Sequence, residues 1–409
     1  MRSCRWWAIR CGARASARRP APWSKPIAAP RRRPSRCWRR CSPRKCVPIR
    51  PTSGPLDPLL DSLYGHVMRV RRRWVEQHPE RRQHLSRPVI SVGNLSVGGT
   101  GKSPVVASIA QWLVDHGQRP AILSRGYGRA DAADGIVVVS DGTRVLAGVD
   151  RSGDEPLMLA RQVPGAAVCV SPDRHLAGIF AERQLGCTVH VLDDGFQHLQ
   201  LARDLDVLVT TMGEIPRGRV IPMGRLREPI DAAARAQVLV VSDATAGAAS
   251  TEAWSLGISQ ACGARRGLGG PVWVGGPDPG SRIPDPGSRP ALSAVEGIPD
   301  PGPRLPDPGK VLAVAGIANP SRFVDALGDA GWQVADSVAF PDHHRYTRAD
   351  VDRIAKRMQQ SGAVAVFTTD KDAVRFEALG ALPFRLYRVP LVVTFEPAEA
   401  LFESVQAIL

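Results

Sequence analysis

The chain has 409 residues, of which 43% are hydrophobic, and this is enough to bury the cores of two or three domains. The sequence contains no run of 18 or more apolar residues, so it gives no sign of a membrane-spanning helix. The net charge of +15 is confined to residues 1–53, which hold 16 Lys and Arg and no Asp or Glu. The remaining residues balance 38 basic side chains against 39 acidic ones, which argues against a nucleic-acid-binding body.

Residues 1–53 are rich in Arg, Pro, Ala and Trp and show no helical or strand periodicity, which predicts a basic disordered extension. Three interpretations stay open: binding of acidic lipid or nucleic acid, a targeting arm, or upstream sequence translated from a misplaced start. The extension holds five of the eight cysteines without CxxC spacing. Cys169, Cys187 and Cys262 are scattered, which indicates a reduced, cytosolic body without a disulfide framework.

Residues 56–77 are predicted to form an amphipathic helix with apolar side chains at spacings of three and four, followed by a basic end. One interpretation is a helix that packs on the body and leaves its basic end in solvent. The other is a contact with the headgroups of an anionic membrane surface.

The stretch PVISVGNLSVGGTGKSP (residues 88–104) predicts a phosphate-binding loop. A short apolar strand is followed by a glycine-rich turn, Gly-Lys-Ser and a helical pattern from Val105 that stops at Gly117. Backbone N–H groups of such a turn surround phosphate oxygens, and the helix dipole, a lysine and a serine hydroxyl add to the site. The fit is incomplete, because Ser96 stands where the motif asks for its first glycine. The predicted nucleotide-binding residues are Ser96, Val97, Gly98, Gly99, Thr100, Gly101, Lys102 and Ser103.

Strands alternate with helices through residues 88–245, which predicts an α/β domain with a mostly parallel sheet. Together with the N-terminal helix, this kinase domain is predicted to span residues 54–274. Ligands of such sheets bind beyond the carboxyl ends of the strands. The phosphate-binding loop, Ser124-Arg125-Gly126 and Asp193-Asp194 all follow predicted strands and are therefore expected at that edge. Residues 275–309 repeat PDPG four times, and we expect a solvated low-complexity insertion there. Residues 310–409 return to an α/β pattern, which predicts a second, smaller domain.

The strand TVHVLDD (residues 188–194) delivers Asp193 and Asp194 to its tip, which is how phosphate-loop enzymes present a carboxylate to Mg²⁺. A solvated Asp-Asp-Gly turn is the alternative. Asp154 and Glu155 precede the helical LMLARQ, and from the residues alone they look like a helix cap. Arg125 has two interpretations, a phosphate contact or an ordinary surface arginine.

The triplet Asp342-His343-His344 lacks a partner motif for zinc, so a histidine that partners a general base fits it better than a metal site does. From spacing alone, a structural histidine is the commoner outcome. Thr369-Asp370-Lys371-Asp372 is superficially similar to a guanine-specificity signature. Its lysine comes one place too late, which favours ATP over GTP.

Taken together, these segments resemble tetraacyldisaccharide 4′-kinase, the kinase family of the lipid A pathway. The resemblance rests on strings that occur in the family's order over residues 54–250 and 310–409: SVGNLSVGGTGKSP, ILSRGYGR, GDEPLMLA, SPDR, VLDDGFQHLQLARDLDV, PMGRLREP, GIANPSRF, PDHHRYT and TTDKDAVR. Residues 1–53 and 275–309 have no counterpart in that pattern.

The resemblance implies a Rossmann-like kinase domain of the P-loop NTPase type, a second α/β domain, and an active site in the cleft between them. It implies ATP and Mg²⁺ as cofactors and transfer of the γ-phosphate to the 4′-hydroxyl of an acylated glucosamine disaccharide 1-phosphate. It also implies peripheral attachment to the cytoplasmic face of the inner membrane of a Gram-negative-type bacterium.

The same resemblance assigns roles to single residues. Asp154 is the expected general base, and His343 of the second domain is its partner. Ser103, Asp193, Asp194 and Glu155 are the expected Mg²⁺ ligands. The expected substrate contacts are Arg125, Arg174, Gln197 and His198. Two other functions stay open: a P-loop ATPase or GTPase acting as a switch or metallochaperone, and a nucleic-acid-binding protein that uses the basic extension.

Overall fold

The computed structural model describes residues 57–98, 101–126, 135–215, 218–277 and 309–409. The predictions for residues 1–53, and for most of the insertion at 275–309, lie outside these ranges. Fourteen strands are found among the described residues. In chain order they are β1 (Val89–Gly93), β2 (Pro120–Ser124), β3 (Val137–Asp141), β4 (Ala167–Val170), β5 (Val189–Asp193), β6 (Leu205–Thr211), β7 (Val238–Ser242), β8 (Gln260–Leu268), β9 (Val272–Gly275), β10 (Val311–Ala315), β11 (Val334–Ala339), β12 (Ala365–Thr369), β13 (Leu386–Val389) and β14 (Leu391–Glu396).

Helices cover both faces of the sheets. They are α1 (Asp57–Gln77), α2 (Lys102–Asp115), α3 (Val149–Ser152), α4 (Asp154–Gln162), α5 (Arg174–Leu185), α6 (Ala246–Leu256), α7 (Pro320–Asp329), α8 (Arg348–Ser361), α9 (Asp370–Phe376) and α10 (Glu399–Gln406). None of the helices in the described ranges is both long and apolar enough to cross a membrane.

Two sheets organise residues 57–409. The large sheet has nine strands in the order β14-β8-β7-β6-β1-β5-β2-β4-β3, and only the pairs at its two edges, β14–β8 and β3–β4, are antiparallel. The small sheet has five strands in the order β11-β10-β12-β13-β9, and again only an edge pair, β13–β9, is antiparallel. The predicted α/β class with mostly parallel sheets is therefore confirmed.

The core of the large sheet explains its continuous apolar strands. β1, β2, β5 and β7 are buried along their whole length, because parallel strands in such folds are covered on both faces. α2 and α10 pack on one face through side chains such as Ile109 and Leu401, whereas α5 packs on the other through Ala177 and Ala181.

The strands do not follow the predicted domain boundaries at residues 274 and 310. β9 leaves the first segment and pairs with β13 in the small sheet, and β14 returns from the second segment to pair with β8 in the large sheet. The two crossings lie side by side, since the amide of Gly269 donates to the carbonyl of Pro390 at 2.8 Å. We use the names large lobe and small lobe for the regions around the two sheets.

The register of the central strands brings the sequence motifs together. Val92 of β1 is the partner of Asp193 of β5, and Leu123 of β2 is the partner of Leu192, so all three strands end at one edge. Gly93 allows a close approach there: a Cβ atom at this position would lie 2.6 Å from the Cβ of Phe196. The phosphate-binding loop and the loop of residues 193–196, here called the Asp-Asp-Gly-Phe loop, therefore contact each other directly where they leave the sheet.

Candidate active site

The lysine of the phosphate-binding loop begins α2 and points across the sheet edge. Its Nζ donates to Asn94 Oδ1 at 2.9 Å and forms an ion pair with Asp194 Oδ1 at 2.9 Å. Gly101 caps the helix with a left-handed φ of 87°, which glycine adopts without steric penalty. Ser96 is buried, and Ser103 lies in the first turn of α2. Gly99 and Thr100 fall outside the described residues.

Asp194 is the meeting point of two cations. Besides Lys102, Arg227 contacts it, with 2.8 Å between Nη1 and Oδ2. Burial alone would raise the pKa of Asp194, but the charges of Lys102 and Arg227 outweigh that effect and hold the pKa below its ordinary value. Asp194 is therefore ionised and paired with both cations. Its backbone has a left-handed φ of 52°, and the surrounding ion pairs stabilise this conformation.

Asp193 has the opposite environment. It is buried at the end of β5, and Ser124 Oγ donates to its Oδ2 at 3.3 Å. Burial, together with the nearby carboxylates of Glu155 and Asp194, raises the pKa of Asp193 to about 6. The motifs around Glu155 and Asp193 therefore lie close to each other, and the carboxylates of Glu155, Asp193 and Asp194 form one cluster of negative charge.

Replacing Asp193 with asparagine is expected to stabilise the ligand-free protein at neutral pH by about 3 kcal/mol, from the shift of its pKa from 3.8 to about 6. A raised carboxyl pKa means that folding disfavours the charged form. That penalty is fully present above pH 6 and disappears as the pH falls toward the ordinary carboxyl value. Denaturant unfolding at about pH 7.5 and about pH 4 measures the change.

The matched control for this variant is Asp150→Asn, which removes an exposed carboxylate from the short helix α3. Its stability is expected to stay within about 0.5 kcal/mol of the unsubstituted protein. Equal or lower stability of Asp193→Asn at neutral pH would contradict the proposed penalty.

Arg174 holds the backbone of the two aspartates. Its side chain is only 1% exposed, and Nη2 donates to the carbonyl of Asp193 at 2.7 Å. Burial lowers the pKa of Arg174 to about 10, and Nε and Nη1 have no hydrogen-bond partner in the part of the chain that the structure describes. Burial and the charges of Arg174 and Arg125 lower the pKa of His198 to about 4, so this imidazole is neutral. Arg174, Arg125 and the neutral His198 therefore form a cluster beside Asp193, and its two arginines make it basic.

Gln197 is occupied by structural contacts. Its Nε2 donates to the carbonyl of Asn94 at 2.9 Å, and its Oε1 accepts from Arg227 Nη1 at 3.3 Å. The side chain therefore links the phosphate-binding loop to the Asp-Asp-Gly-Phe loop.

The N-terminus of α4 brings the two lobes into contact. Asp154 makes no capping bond there; instead, its Oδ2 lies 2.8 Å from His343 Nδ1 and accepts from Arg375 Nη2. Burial alone would raise the pKa of Asp154, but Arg375 and His343 lower it overall. A carboxylate that is only 16% exposed is thus kept ionised by two residues of the small lobe. Such a group can accept a proton from a bound hydroxyl.

The second histidine of the triplet has a different partner. His344 Nε2 lies 3.1 Å from Asp350 Oδ2, and Asp350 also completes the capping box of Thr347 at the start of α8. His343, and not His344, therefore faces Asp154. Within the described ranges, no group of three or more His, Cys, Asp or Glu side chains is arranged to hold a metal ion.

Comparison with known proteins decides which family this site belongs to. The sequence of residues 55–409 matches the tetraacyldisaccharide-1-P 4′-kinase family. The chain belongs to this family. It is 36% identical over 343 residues to a tetraacyldisaccharide 4′-kinase of Geobacter sulfurreducens, covering 83% of this chain and 90% of the relative. It is 38% identical over 337 residues to one of Pelobacter propionicus, covering 82% and 86%.

The fold agrees with a solved member of the family. The crystal structure of LpxK from Aquifex aeolicus in complex with ATP matches this structure with a TM-score of 0.65 and 28% identity, covering 86% of this chain and 98% of that chain. The predicted family, fold class and kinase activity are confirmed by these matches.

Four residues of this kinase site are not singled out by the sequence motifs as functional: Asn94, Arg227, Lys371 and Arg375. Each lies inside a string on which the resemblance rests, SVGNLSVGGTGKSP, PMGRLREP or TTDKDAVR, so a signal for them was present in the sequence. Their roles depend on partners up to 221 residues away, as for Arg375 and Asp154.

Proposed function

We propose that this kinase transfers the γ-phosphate of ATP to the 4′-hydroxyl of a tetraacylated glucosamine disaccharide 1-phosphate. The observation that carries the proposal is the ionised carboxylate of Asp154, held by His343 and Arg375 at the contact between the lobes. Glu155, the next residue in the chain, lies near enough to Asp193 to raise the pKa of Asp193, and the charge of Lys102 lowers the same pKa. A proton acceptor and a phosphate-binding lysine therefore share one cleft.

ATP is assigned to the loop between β1 and α2. Backbone amides of such a loop would surround the phosphates, and Lys102 would supply a positive charge to the β- and γ-phosphates. The ATP complex of the Aquifex aeolicus relative supports this assignment. When ATP binds, Lys102 exchanges its contact with Asp194 for the phosphates, and Arg227 remains to neutralise Asp194.

Asp154 is assigned as the general base. The acceptor hydroxyl gives its proton to the carboxylate as the oxygen bonds to the γ-phosphorus and the bond to the bridging oxygen breaks, which releases ADP. His343 and Arg375 both contact Oδ2, and this leaves Oδ1 directed away from them as the atom that takes the proton. Because His343 and Arg375 come from the small lobe, the base is complete only when the lobes are together.

Mg²⁺ fits the carboxylates around Asp193. Burial first, and then the carboxylates of Glu155 and Asp194, raise the pKa of Asp193 against the opposing charges of Arg174 and Lys102, and a bound divalent cation would relieve that penalty. Asp194 is already paired with Lys102 and Arg227. Mg²⁺ in kinases needs only one or two carboxylates besides phosphates and water. We assign Asp193 and Ser103 to direct contact, and Glu155 and Asp194 to the outer sphere. The metal would neutralise the charge that develops on the phosphate oxygens.

The basic cluster beside Asp193 is assigned to phosphate recognition. Arg174 has two nitrogens that lack partners among the described residues, and Arg125 is exposed at the end of β2. An arginine fork suits phosphate oxygens. The neutral imidazole of His198 offers a hydrogen bond to the sugar, and Gln197 acts by holding the two loops together.

Helix α1 is assigned to contact with an anionic membrane surface at the cytoplasmic face of the inner membrane. Polar residues hold the helix on the body: Asp61 accepts from the amide of Val220, and Arg72 pairs with Asp231. Its exposed side chains include a row of apolar ones, with Leu63 62% and Val67 54% exposed. A helix docked by its polar side, with its apolar side uncovered, suits a lipid surface.

Replacing Leu63 with glutamate is expected to weaken binding to anionic vesicles about tenfold, because the variant loses an inserted apolar side chain and adds a repelled charge. Co-sedimentation with vesicles that contain phosphatidylglycerol measures this. Ser62→Glu is the matched control, since it places the same charge one residue earlier and off the apolar row. Equal binding of the two variants would contradict the assignment.

The assay that tests the proposed function measures transfer from γ-labelled ATP to the disaccharide 1-phosphate in detergent micelles with Mg²⁺. Label is expected in the lipid, and none when the acceptor lacks a 4′-hydroxyl. Release of inorganic phosphate that is independent of the acceptor would instead favour a P-loop ATPase.

A further inference from the structure

His343 lies between two carboxylates, one near each ring nitrogen. Its Nδ1 is 2.8 Å from Asp154 Oδ2, and its Nε2 is 3.9 Å from Asp342 Oδ1. A neutral imidazole carries its proton on one nitrogen only, so the two carboxylates compete for it. Only the tautomer protonated at Nδ1 donates to Asp154.

Packing does not decide between the tautomers, because the His343 side chain is 43% exposed. Its backbone has a φ of 59°, which is uncommon for a residue other than glycine and tends to occur at functional sites. The amide of His343 donates to Asp342 Oδ1 at 3.0 Å, which holds this turn in place. The ring therefore needs a further contact to fix its proton.

Lys371 provides that contact. Its Nζ lies 3.0 Å from His343 Nε2 and 3.0 Å from Asp342 Oδ1. An ammonium group has three donors and no acceptor, so the nitrogen that faces it must be the unprotonated one. We infer that Lys371 is a positioning residue that fixes His343 in the Nδ1–H tautomer and so directs its proton to Asp154. This inference rests on the proposed role of Asp154 as the base.

Lys371 has a second effect on the competition. It sits between Asp342 and the ring and binds the carboxylate that would otherwise attract a proton to Nε2. Without the ammonium group, Nε2 would face Asp342 alone. Both effects of Lys371 favour the same tautomer.

Helix α9 holds Lys371 and Arg375 on one face, four residues apart. Arg375 contacts Asp154 Oδ2 and is anchored by Asp372 at 3.2 Å. Arg375 Nη2 and His343 Nδ1 lie 3.4 Å apart, because both nitrogens approach the same oxygen of Asp154 as donors. One turn of α9 therefore orients both members of the catalytic pair.

The anchor of this turn lies in the interior of the small lobe. Asp372 is fully buried, and it accepts from the amide of Gly316 at 2.9 Å and from Thr369 Oγ1 at 2.7 Å. The Lys371 side chain itself is 18% exposed. The position of Lys371 thus follows from the packing of the lobe, and this suits a residue that sets the geometry of another.

The test is a nitrogen NMR spectrum of the full-length protein with ¹⁵N-labelled histidine at about pH 8, where free imidazole is neutral. His343→Gln assigns the signals. In the unsubstituted protein, Nδ1 is expected to be protonated and Nε2 unprotonated. A protonated Nε2 in that spectrum would overturn the inference without any further variant.

Lys371→Met is expected to shift the Nε2 signal toward the protonated form, whereas Lys371→Arg restores the original pattern. It is also expected to lower kcat about 10²-fold with little change in the KM for ATP, which is the scale for a misplaced catalytic group. Lys356→Met, which removes an exposed lysine of α8, is the control and should change neither readout.

The spectrum and the kinetics separate two kinds of failure. If the Nε2 signal of Lys371→Met keeps its original position, the inference about Lys371 is wrong even where the kinase is active. If the unsubstituted protein transfers no phosphate to the disaccharide, the proposed function fails, whatever the tautomer.

Discussion

Replacing Lys102 with alanine is expected to lower kcat/KM for phosphate transfer by about 10³-fold, the upper range for one lost donor to a developing charge. In this structure the ammonium group already bridges Asn94 and Asp194 at the edge of the sheet where β1 and β5 end. Arg227, the other cation at Asp194, is paired with Oδ2 of that carboxylate and is not expected to replace the charge that Lys102 brings to the phosphates. Transfer of labelled phosphate to the disaccharide in micelles measures the loss.

A second variant separates charge from packing. Lys102→Met keeps the aliphatic stem and removes only the ammonium group, so its activity should fall as far as that of the alanine variant. Lys356→Ala removes an exposed charge from α8 and should leave kcat/KM unchanged. Ordinary turnover in both Lys102 variants would show that this loop does not bind the transferred phosphate.

Replacing Asp154 with asparagine is expected to lower kcat by 10² to 10⁴-fold, the range for a lost general base. The amide oxygen can still accept from His343 and Arg375, so the contact between the lobes is largely kept. Asparagine cannot take the proton of the acceptor hydroxyl, so only the rate of phosphate transfer is expected to fall. Affinity for ATP, measured by equilibrium binding, is expected to change less than about threefold.

Asp150→Asn is the control for this experiment too, since that carboxylate is exposed and lies four residues earlier in the chain. Its kcat should match the unsubstituted enzyme. A kcat for Asp154→Asn within a few-fold of the unsubstituted value would remove Asp154 from the role of base.

Local sequence patterns were sufficient for α1 and for the elements that flank the phosphate-binding loop. The apolar strand predicted before the phosphate-binding loop is found as β1, and the helical pattern predicted to stop at Gly117 is found as α2, Lys102–Asp115. The helix predicted over 56–77 is found as Asp57–Gln77. Such segments can be predicted from local sequence, because a buried parallel strand is continuously apolar and the apolar residues of an amphipathic helix recur with a fixed period.

Edge strands and distant partners could not be predicted in the same way. β8, with the sequence QACGARRGL, is long but has neither a continuous apolar run nor a clean alternation, and its place depends on pairing with β7 and β14. Asp154 looked like a helix cap from its neighbours alone, and the structure instead pairs it with Arg375 at a separation of 221 residues. Contacts of that kind depend on how the two lobes pack, which no local pattern encodes.

The paired crossings between the sheets determine how this kinase can move. β8 continues into β9 and β13 into β14, and Gly269 is bonded to Pro390 where the two chains pass each other. A double-stranded ribbon of this kind bends or twists readily, but sliding one chain past the other would break its ladder of bonds. Opening of the cleft should therefore be a rotation about one fixed axis, and each reclosure should return the base to the same place over the nucleotide.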